Sequence, residues 1–305
     1  MEITFLGTGA GLPSKGRNVS AIALQLLQEE NQIWLFDCGE ATQHQILHTS
    51  IKPRKINKIF ITHLHGDHIF GLPGLLSSRS FQGGDDAVTL YGPTGLRDYV
   101  ETALRISKSH LNYPITIVEI KDGSVIKENN FTIYVKELDH GVPSFGYRIV
   151  EKDSPGELLA SKLQAKGIPP GPLYGKIKNN EYINTEQFGT LYRKDFIGPD
   201  KPGKIVTVMG DTRYSASFTT FVEQSDVLIY EATFKAEQED LAFQYFHSTT
   251  KQAATLAKEG NVKQLIMTHI SSRYQQEDDE DLLQEARVIF PDTELANDFY
   301  HHNIR

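Results

Sequence analysis

The sequence predicts a two-lobed α/β sandwich. Each half of the chain opens with strand-like apolar runs and then alternates strands with helical stretches, an order typical of α/β domains. A polar stretch rich in Pro, Gly, Lys and Asn separates the two halves. The chain has 305 residues, 39% of them hydrophobic, including 16 Phe and 13 Tyr. It can therefore bury a sizeable core, which excludes an intrinsically disordered protein.

Short runs of β-branched and aromatic residues mark the strands of the first half, and Gly, Asp and Asn mark the turns between them. Two longer runs look helical. These patterns predict strands at 3–6, 19–27, 33–36, 59–62, 88–91, 115–120, 131–138 and 145–150, and helices at 40–49 and 96–107.

Regular patterning resumes after the polar stretch with a strand at 204–209 that ends at Gly210. The later elements are expected to be strands at 226–230 and 262–268 and helices around 236–246, 249–259 and 282–289. The stretch 153–200 itself contains Pro169-Pro170-Gly171-Pro172 and is too polar and turn-rich for a core. A linker, a disordered loop or a projecting insertion would each fit this composition.

Composition excludes several classes of protein. The single cysteine, Cys38, rules out an internal disulfide framework and a thiolate zinc site. The N-terminus has no basic, apolar leader, and no window approaches 18 continuous apolar residues. We therefore expect a cytoplasmic protein without a membrane span.

The net charge of −8, from 31 basic and 39 acidic side chains, argues at first against a nucleic-acid partner. The distribution of the charge weakens that argument. Residues 277–285 alone hold six acids and no base, which indicates one solvated acidic face. Residues 41–66 and 159–180 each hold four Lys or Arg and no acid. Binding of nucleic acid should then be salt-sensitive and confined to one face.

Three histidines and an aspartate lie within six residues, directly after a buried-looking strand. They are His63, His65, Asp67 and His68. Imidazole and carboxylate together suit zinc or a similar divalent ion. On extended backbone the side chains of residues 63, 65 and 67 would point to the same face, and a turn at Gly66 would let His68 reach a second ion. A single histidine at a strand end is usually an ordinary polar residue, but four such groups buried without metal would demand partners.

Further ligands are predicted at the carboxyl ends of other strands, where α/β sheets place their sites. His140 follows the strand at 131–138, Asp211 the strand at 204–209 and His269 the strand at 262–268. Together with the cluster they complete two sets in which Asp211 bridges two ions. The two sets are His63, His65, His140 and Asp211, and Asp67, His68, His269 and Asp211.

The H-x-H-x-D-H motif and the three later ligands resemble the metallo-β-lactamase superfamily. Within it, nearly the whole chain resembles the ribonuclease Z family of short bacterial tRNA 3′-processing endonucleases. The narrower matches are a P-x-K-x-R-N loop at 13–18, the motif around Asp37 at 36–43, Glu231-Ala232-Thr233 and His247-Ser248-Thr249. One position departs from the family pattern, because Tyr230 stands where the family usually has His.

The resemblance implies a single domain over 1–305, a four-layer αβ/βα sandwich, with a flexible arm inserted at 153–200 that binds tRNA. It implies a zinc-dependent endoribonuclease with two Zn²⁺ per subunit, which removes the 3′ trailer from precursor tRNA and leaves a 3′-hydroxyl. It also implies a homodimer. Mn²⁺ or Fe²⁺ could bind the same nitrogen and oxygen ligands.

Three catalytic roles follow from the resemblance. Asp67 would bind one ion and orient the nucleophile or accept its proton. His247 would give a proton to the leaving 3′-oxygen, and Glu231 would hold His247 in the productive tautomer. The alternative for 247–249 is that these residues only cap the helix that begins there.

The predicted substrate contacts are basic. Lys15 and Arg17 lie in the loop that, by resemblance, inspects the 3′ end. Arg273 would bind a substrate phosphate, although a surface arginine in a turn fits its sequence context equally well. The arm would contact the tRNA backbone with four lysines, namely Lys162, Lys166, Lys176 and Lys178.

Two other functions remain open at this point. Another hydrolase of the superfamily, such as a lactonase or a thioesterase, would share the H-x-H-x-D-H motif but not the lysine arm or the P-x-K-x-R-N loop. A metal-stabilised RNA-binding module would share the ligands without turnover. Seven ligands around two ions leave coordination positions open, which favours catalysis.

Overall fold

The computed structural model describes residues 1–304. These residues form two compact units. The larger unit comprises residues 1–150 and 205–304, and the smaller one comprises residues 151–204. Each unit has its own hydrophobic core.

The strands of the described chain range from two to eight residues in length. They are β1 (Glu2–Gly7), β2 (Gly9–Ala10), β3 (Ala21–Leu26), β4 (Gln32–Phe36), β5 (Ile56–Phe60), β6 (Val88–Gly92), β7 (Ile115–Glu119), β8 (Val125–Lys127), β9 (Phe131–Leu138), β10 (Ser144–Glu151), β11 (Tyr182–Thr185), β12 (Gly189–Tyr192), β13 (Ile205–Val208), β14 (Val227–Glu231), β15 (Leu265–Thr268), β16 (Ile270–Ser271), β17 (Thr293–Leu295) and β18 (His301–Asn303).

The α-helices are mostly short, and among residues 1–304 none is long and apolar enough to cross a membrane. They are α1 (Thr42–Leu47), α2 (Gly66–Ile69), α3 (Leu72–Phe81), α4 (Leu96–Ser107), α5 (Ala160–Ala165), α6 (Pro172–Asn179), α7 (Arg193–Phe196), α8 (Thr219–Val222), α9 (Glu239–Gln244), α10 (Thr250–Glu259) and α11 (Asp279–Arg287). Single 3₁₀ turns lie at Pro53–Lys55, Ala216–Phe218, Ala236–Gln238 and Gln276–Asp278.

The larger unit is built on two seven-stranded sheets. Their strand orders are β18-β1-β3-β4-β5-β6-β7 and β17-β15-β14-β13-β10-β9-β8. Each sheet combines a parallel half with an antiparallel half. The parallel halves are β4 to β7 in the first sheet and β13, β14, β15 and β17 in the second. The two halves of the chain thus build sheets of the same design, as the alternation in the sequence predicts.

Three hydrophobic clusters fill the interfaces between four layers. Between the sheets, Trp34 lies 5.2 Å from Phe131 and Phe60 lies 5.2 Å from Tyr147, measured between ring centroids. Burying rings of this size stabilises the fold by about 1.5–3 kcal/mol each. The outer face of the first sheet packs against α1, α3 and α4, and that of the second against α8, α10 and α11. The predicted four-layer αβ/βα sandwich is confirmed.

The structure also corrects several predicted elements. Helix α4 has the predicted bounds, whereas α11 begins at Asp279 rather than 282. Acidic residues in the first turn of α11 are favoured there by the helix dipole. Helix α3 was not predicted, because it contains Pro73 and Gly74, but a proline in the first turn costs no backbone hydrogen bond. The closing strands β17 and β18 were not predicted either.

Residues 151–204 contain α5, α6, α7 and the antiparallel β11–β12 hairpin. The expectation that this stretch has no core is wrong. Apolar residues scattered among the polar ones converge into a small cluster of buried side chains, namely Leu163, Ile168, Ile177, Leu191 and Phe196. The flexibility of this arm stays a prediction.

Candidate metal centre and active site

The candidate ligands lie where strands of both sheets end. His63 follows β5, His140 follows β9, Asp211 follows β13 and His269 follows β15 directly. Strands β9, β13 and β15 run in the same direction, so their carboxyl ends share one edge of the second sheet. The structure therefore brings together all seven ligands that the sequence predicts.

The first group of ligands consists of His63, His65 and His140. Nε2 of His63 lies 3.1 Å from Nδ1 of His65, and Nε2 of His140 lies 3.2 Å from the same atom. His63 is fully buried, whereas His65 is exposed, so this group has one side open to solvent. Burial, followed by the neighbouring His68, lowers the pKa of His63 well below its usual value. A low pKa keeps the imidazole neutral, which is the form that binds a metal.

The second group consists of Asp67, His68 and His269. Nε2 of His68 and Nε2 of His269 are 3.3 Å apart, and each lies 3.4 Å from Oδ2 of Asp67. Helix α2 carries both Asp67 and His68, because the chain turns into this helix directly after His65. The backbone N–H of Gly11 donates to the same Asp67 oxygen at 2.8 Å, which ties the N-terminal loop to the centre.

Asp211 lies between the two groups. Its Oδ2 atom is 3.6 Å from Nε2 of His63, 3.4 Å from Nε2 of His68 and 3.3 Å from Nε2 of His269. Burial alone would raise the pKa of this carboxyl, but the three imidazoles hold it well below its usual range. A buried, ionised carboxylate in contact with both groups is suited to bridge two cations.

In four of the five ligand histidines, the outward-facing ring nitrogen meets an oxygen of the protein, whereas His65 turns its Nδ1 toward the other ligands. In His68, Nδ1 lies 2.8 Å from Oδ2 of Asp37, and in His140 it lies 2.9 Å from the carbonyl oxygen of Phe246. In His63, Nδ1 lies 3.0 Å from Oγ1 of Thr62, and in His269 it lies 3.1 Å from Oγ1 of Thr233. These oxygens fix the ring hydrogen on Nδ1, so the Nε2 lone pairs face one another and the carboxylates. Such a donor set fits divalent cations, because imidazole nitrogens and carboxylate oxygens converge on the same positions.

Asp37 is a functional residue that the sequence did not identify, although the motif around it matches the family. It follows β4 in the left-handed region, with φ 58°, and is buried. Its carboxylate accepts from the backbone N–H and the hydroxyl of Thr62 at 2.7 and 2.9 Å, and from Nδ1 of His68. Asp37 thus orients His68 directly and His63 through Thr62. Asp37 and His68 are far apart along the chain, so their contact could not be predicted from the sequence.

Glu231 has the same function in the second sheet. This buried carboxylate at the end of β14 accepts four hydrogen bonds. The donors are the backbone N–H groups of Thr212 and Ser248 at 2.8 and 3.0 Å, the hydroxyl of Thr233 at 2.6 Å and Nδ1 of His247 at 2.9 Å. Thr233 in turn accepts a hydrogen bond from Nδ1 of His269. Glu231 therefore orients the ligand His269 through Thr233 and holds His247 directly.

His247 lies beside the ligands and belongs to neither group above, although it could form a further metal-binding group with Asp211 and His269. Its ring centroid is 5.4 Å from those of His140 and His269. Burial would lower the pKa of His247, but Glu231 raises it to about 9. Helix α10 is capped by Thr249, in a capping box with Gln252, so the cap interpretation applies to Thr249 and leaves His247 free for another role.

Tyr230, the residue that departs from the family pattern, lies outside the candidate metal centre. Tyr230 is fully buried and belongs to the hydrophobic cluster between the second sheet and its helices. Its hydroxyl lies 3.1 Å from Oγ of Ser248, which donates to the carbonyl of Thr212. Tyr230 therefore supports the backbone around Glu231 from the opposite face of β14.

The structure argues against a direct substrate contact by Arg17. Its guanidinium is buried and donates to Oγ1 of Thr8 at 2.8 Å, to the carbonyl of Ala296 at 2.6 Å and to Oδ1 of Asp279 at 2.8 Å. Arg17 anchors its loop to the C-terminal part of the chain instead. The neighbouring Lys15 is exposed and lines a polar cavity of about 470 Å³.

The remaining predicted contacts are all on the surface. Arg273 is exposed, its Nε donates to Oγ of Ser271 at 3.2 Å, and its guanidinium lies 5.0 Å from the ring centroid of Phe234. The four arm lysines are also exposed, on or directly beside the short helices α5 and α6. They are Lys162, Lys166, Lys176 and Lys178.

Known proteins resemble this chain over its full length. Ribonuclease Z of Oceanobacillus iheyensis is 58% identical over 306 residues, with 100% of both chains covered. Ribonuclease Z of Bacillus mycoides is 58% identical over 299 residues, which cover 98% of this chain and 97% of the relative. A family model described as anti-Pycsar protein Apyc1 matches residues 1–151.

Solved structures show the same likeness. The short form of human tRNase Z is 30% identical, with a TM-score of 0.72 and full coverage of both chains. The metallo-β-lactamase fold protein YhfI from Bacillus subtilis has a TM-score of 0.69 at 19% identity, covering 99% of this chain and 98% of its own. At 19% identity, the similarity to YhfI shows a shared fold only.

We expect zinc to stabilise the folded protein through the ligand cluster. Adding Zn²⁺ to chelator-treated protein at about 100 times its Kd should raise the Tm by roughly 5 °C, because the folded state alone holds the ligands together. The shift should become smaller in His68→Ala, because this variant removes one ligand of the second group. Substitution of the exposed His110 by Ala is the matched control and should keep it. An equal shift in His68→Ala, measured by calorimetry, would show that zinc binds elsewhere.

Proposed function

Because the chain belongs to the ribonuclease Z family of the metallo-β-lactamase superfamily, we propose that its metal centre hydrolyses the bond between precursor tRNA and its 3′ trailer. It is a metal-dependent endonuclease, and cleavage leaves a 3′-hydroxyl on the tRNA. Full-length relatives named ribonuclease Z favour this function over the lactonase and thioesterase alternatives.

The observation that carries the proposal is an imidazole held by a carboxylate beside two groups of metal ligands. Nδ1 of His247 lies 2.9 Å from Oε1 of Glu231, which raises the pKa of His247 to about 9 and favours the protonated ring. The 3′-oxygen of a ribose is a poor leaving group, so its departure needs a proton. A positioned acid of this kind typically contributes about 10²–10⁴-fold to the rate.

The metals are proposed to be two Zn²⁺ per subunit, held by the two sets that share Asp211. When bound, the ions supply an activated water at neutral pH and neutralise the charge that develops on the phosphate oxygens. Asp67, held by the N–H of Gly11, orients the attacking water. His247 gives its proton to the leaving 3′-oxygen, and Glu231 keeps the ring oriented throughout.

The substrate is proposed to meet basic side chains away from the metals. Arg273 and Lys15 are exposed and available to phosphates near the cleaved bond. The arm lysines would bind the tRNA backbone without reading its sequence. The family resemblance further supports a homodimer that acts in the cytoplasm, where tRNA is processed.

Cleavage of a precursor tRNA that carries a 3′ trailer tests the function directly. Wild-type protein with zinc should release the trailer, whereas Asp67→Ala should lose at least about 10²-fold in kcat/KM, because the water and one metal lose a ligand. Asp98→Ala, which removes an exposed carboxylate from α4, should match the wild type. If wild-type protein with bound zinc leaves the trailer intact, the proposed function is wrong.

The role of His247 can be separated from metal binding. His247→Ala should lower kcat on precursor tRNA by about 10²–10⁴-fold while the zinc content stays unchanged. The same variant should lose less than about tenfold on a p-nitrophenyl phosphodiester, because p-nitrophenolate leaves without a proton. His110→Ala should behave as wild type in both assays. Loss of zinc, or equal losses on both substrates, would contradict a general acid.

The arm can be tested without disturbing its small core. Deleting 159–180 would remove Leu163, Ile168 and Ile177, so we prefer to replace Lys162, Lys166, Lys176 and Lys178 together by Gln. The variant should bind precursor tRNA more weakly, with a slope of log K against log salt shallower by up to about 3. Hydrolysis of the small phosphodiester should not change. A charge-matched control replaces Lys121, Lys127, Lys251 and Lys258, all exposed in the larger unit. Equal weakening by both variants would refute a specific role of the arm.

A further inference from the structure

One large aromatic side chain beside the metal centre is exposed to solvent. Phe70 is 63% exposed, although it directly follows α2, the helix that carries Asp67 and His68. An exposed phenylalanine loses the stabilisation that burial would give it, about 1.5–3 kcal/mol. The hydrolytic chemistry described above does not use this ring.

The ring of Phe70 packs against Gly66. A Cβ atom added at Gly66 would lie 2.2 Å from Cε2 of Phe70, so the ring rests directly on the backbone of the metal-binding motif. The next residue, Gly71, packs against the loop after β4, where an added Cβ would lie 2.0 Å from the carbonyl oxygen of Gly39. The N–H of Gly71 also donates to the carbonyl of Cys38 at 3.0 Å. The contact with Gly66 and the anchored backbone at Gly71 restrict the ring of Phe70, which reduces the conformational entropy lost when something stacks on it.

Phe70 forms one wall of a groove of about 440 Å³, a volume within the range of small-molecule sites. The N-terminal loop lines the same groove with Leu12, which is 58% exposed, and Pro13, and the exposed Glu40 lines it as well. His65 and Asp67 line the same groove, so its apolar part is continuous with the ligand cluster. The hydrogen bond from Gly11 to Asp67 holds the loop in place beside the metal ligands.

We infer that this groove binds an unpaired nucleobase next to the cleaved phosphate, stacked on Phe70. The inference rests on the proposed function and adds a subsite to it. Single-stranded RNA is typically held by bases stacked on aromatic rings, and stacking tolerates any base because each has a π-face. A phosphate bound at the metal centre would lie next to His65 and Asp67, which line the groove, so one of its two flanking nucleotides could enter the groove. Leu12 and Pro13 then cover the other face or the edge of the base.

The test combines Phe70 variants with precursor tRNAs that lack one base. Phe70→Ala should lower kcat/KM on intact precursor by roughly 10- to 100-fold, the usual loss when a stacking ring is removed. A precursor with an abasic nucleotide in the groove should lower the wild-type value to a similar extent. Phe70→Ala should lose little more on that precursor, because ring and base act as one pair. Two abasic precursors, modified on the 5′ or the 3′ side of the cleaved bond, distinguish which nucleotide binds.

Matched variants keep the result interpretable. Phe70→Tyr should retain activity, since it keeps the ring. Phe81→Ala removes another phenylalanine, 85% exposed and outside the groove, and should match the wild type. The zinc content and Tm of all variants should agree. Unchanged activity in Phe70→Ala would overturn the subsite, and so would losses from Phe70→Ala and from the missing base that multiply on both abasic precursors. In either case, cleavage by the wild type would still support the proposed function.

Discussion

The candidate centre depends on two buried carboxylates that bind no metal themselves. Asp37 follows a strand of the first sheet and accepts from the ligand His68 and from Thr62, whereas Glu231 in the second sheet accepts from Thr233 and His247. A buried carboxylate is costly unless donors surround it, and Glu231 has four. These bonds fix the imidazole hydrogens outward and leave the inner lone pairs for cations. Removing either carboxylate would leave donors unsatisfied and rings free to turn, which links the stability of the fold to the geometry of the site.

The same arrangement explains why the chain builds two similar sheets. Asp37 follows β4 and His63 follows β5, both in the parallel half of the first sheet, while Glu231 and His269 lie at the corresponding edge of the second. The aromatic core between the sheets holds these edges against each other. Each sheet therefore brings its own orienting carboxylate, and Asp211 connects the two groups of ligands.

The seven ligands could be predicted because each lies in a motif or directly after a strand, and a strand end is visible in the sequence. What the sequence could not predict was pairing over long distances. Arg17 has the sequence context of a substrate contact, but the structure shows its salt bridge to Asp279, 262 residues further on. Phe70 looks like an ordinary apolar residue, because nothing in the surrounding sequence indicates that its side chain is exposed. The core of the arm was missed because its apolar residues are separated by prolines, glycines and lysines.

The contact between Arg17 and Asp279 also changes the meaning of the net charge. The acidic stretch 277–285 is not simply a solvated face, because Asp279 neutralises a buried guanidinium and Asp278 pairs with Lys235 at 3.4 Å. Part of the acidic excess is therefore used inside the protein, to hold the P-x-K-x-R-N loop in place. Lys15, two residues before Arg17, stays exposed on that anchored loop. An acidic protein can in this way present basic side chains at chosen positions, and the total of −8 says little about the field that an RNA substrate meets.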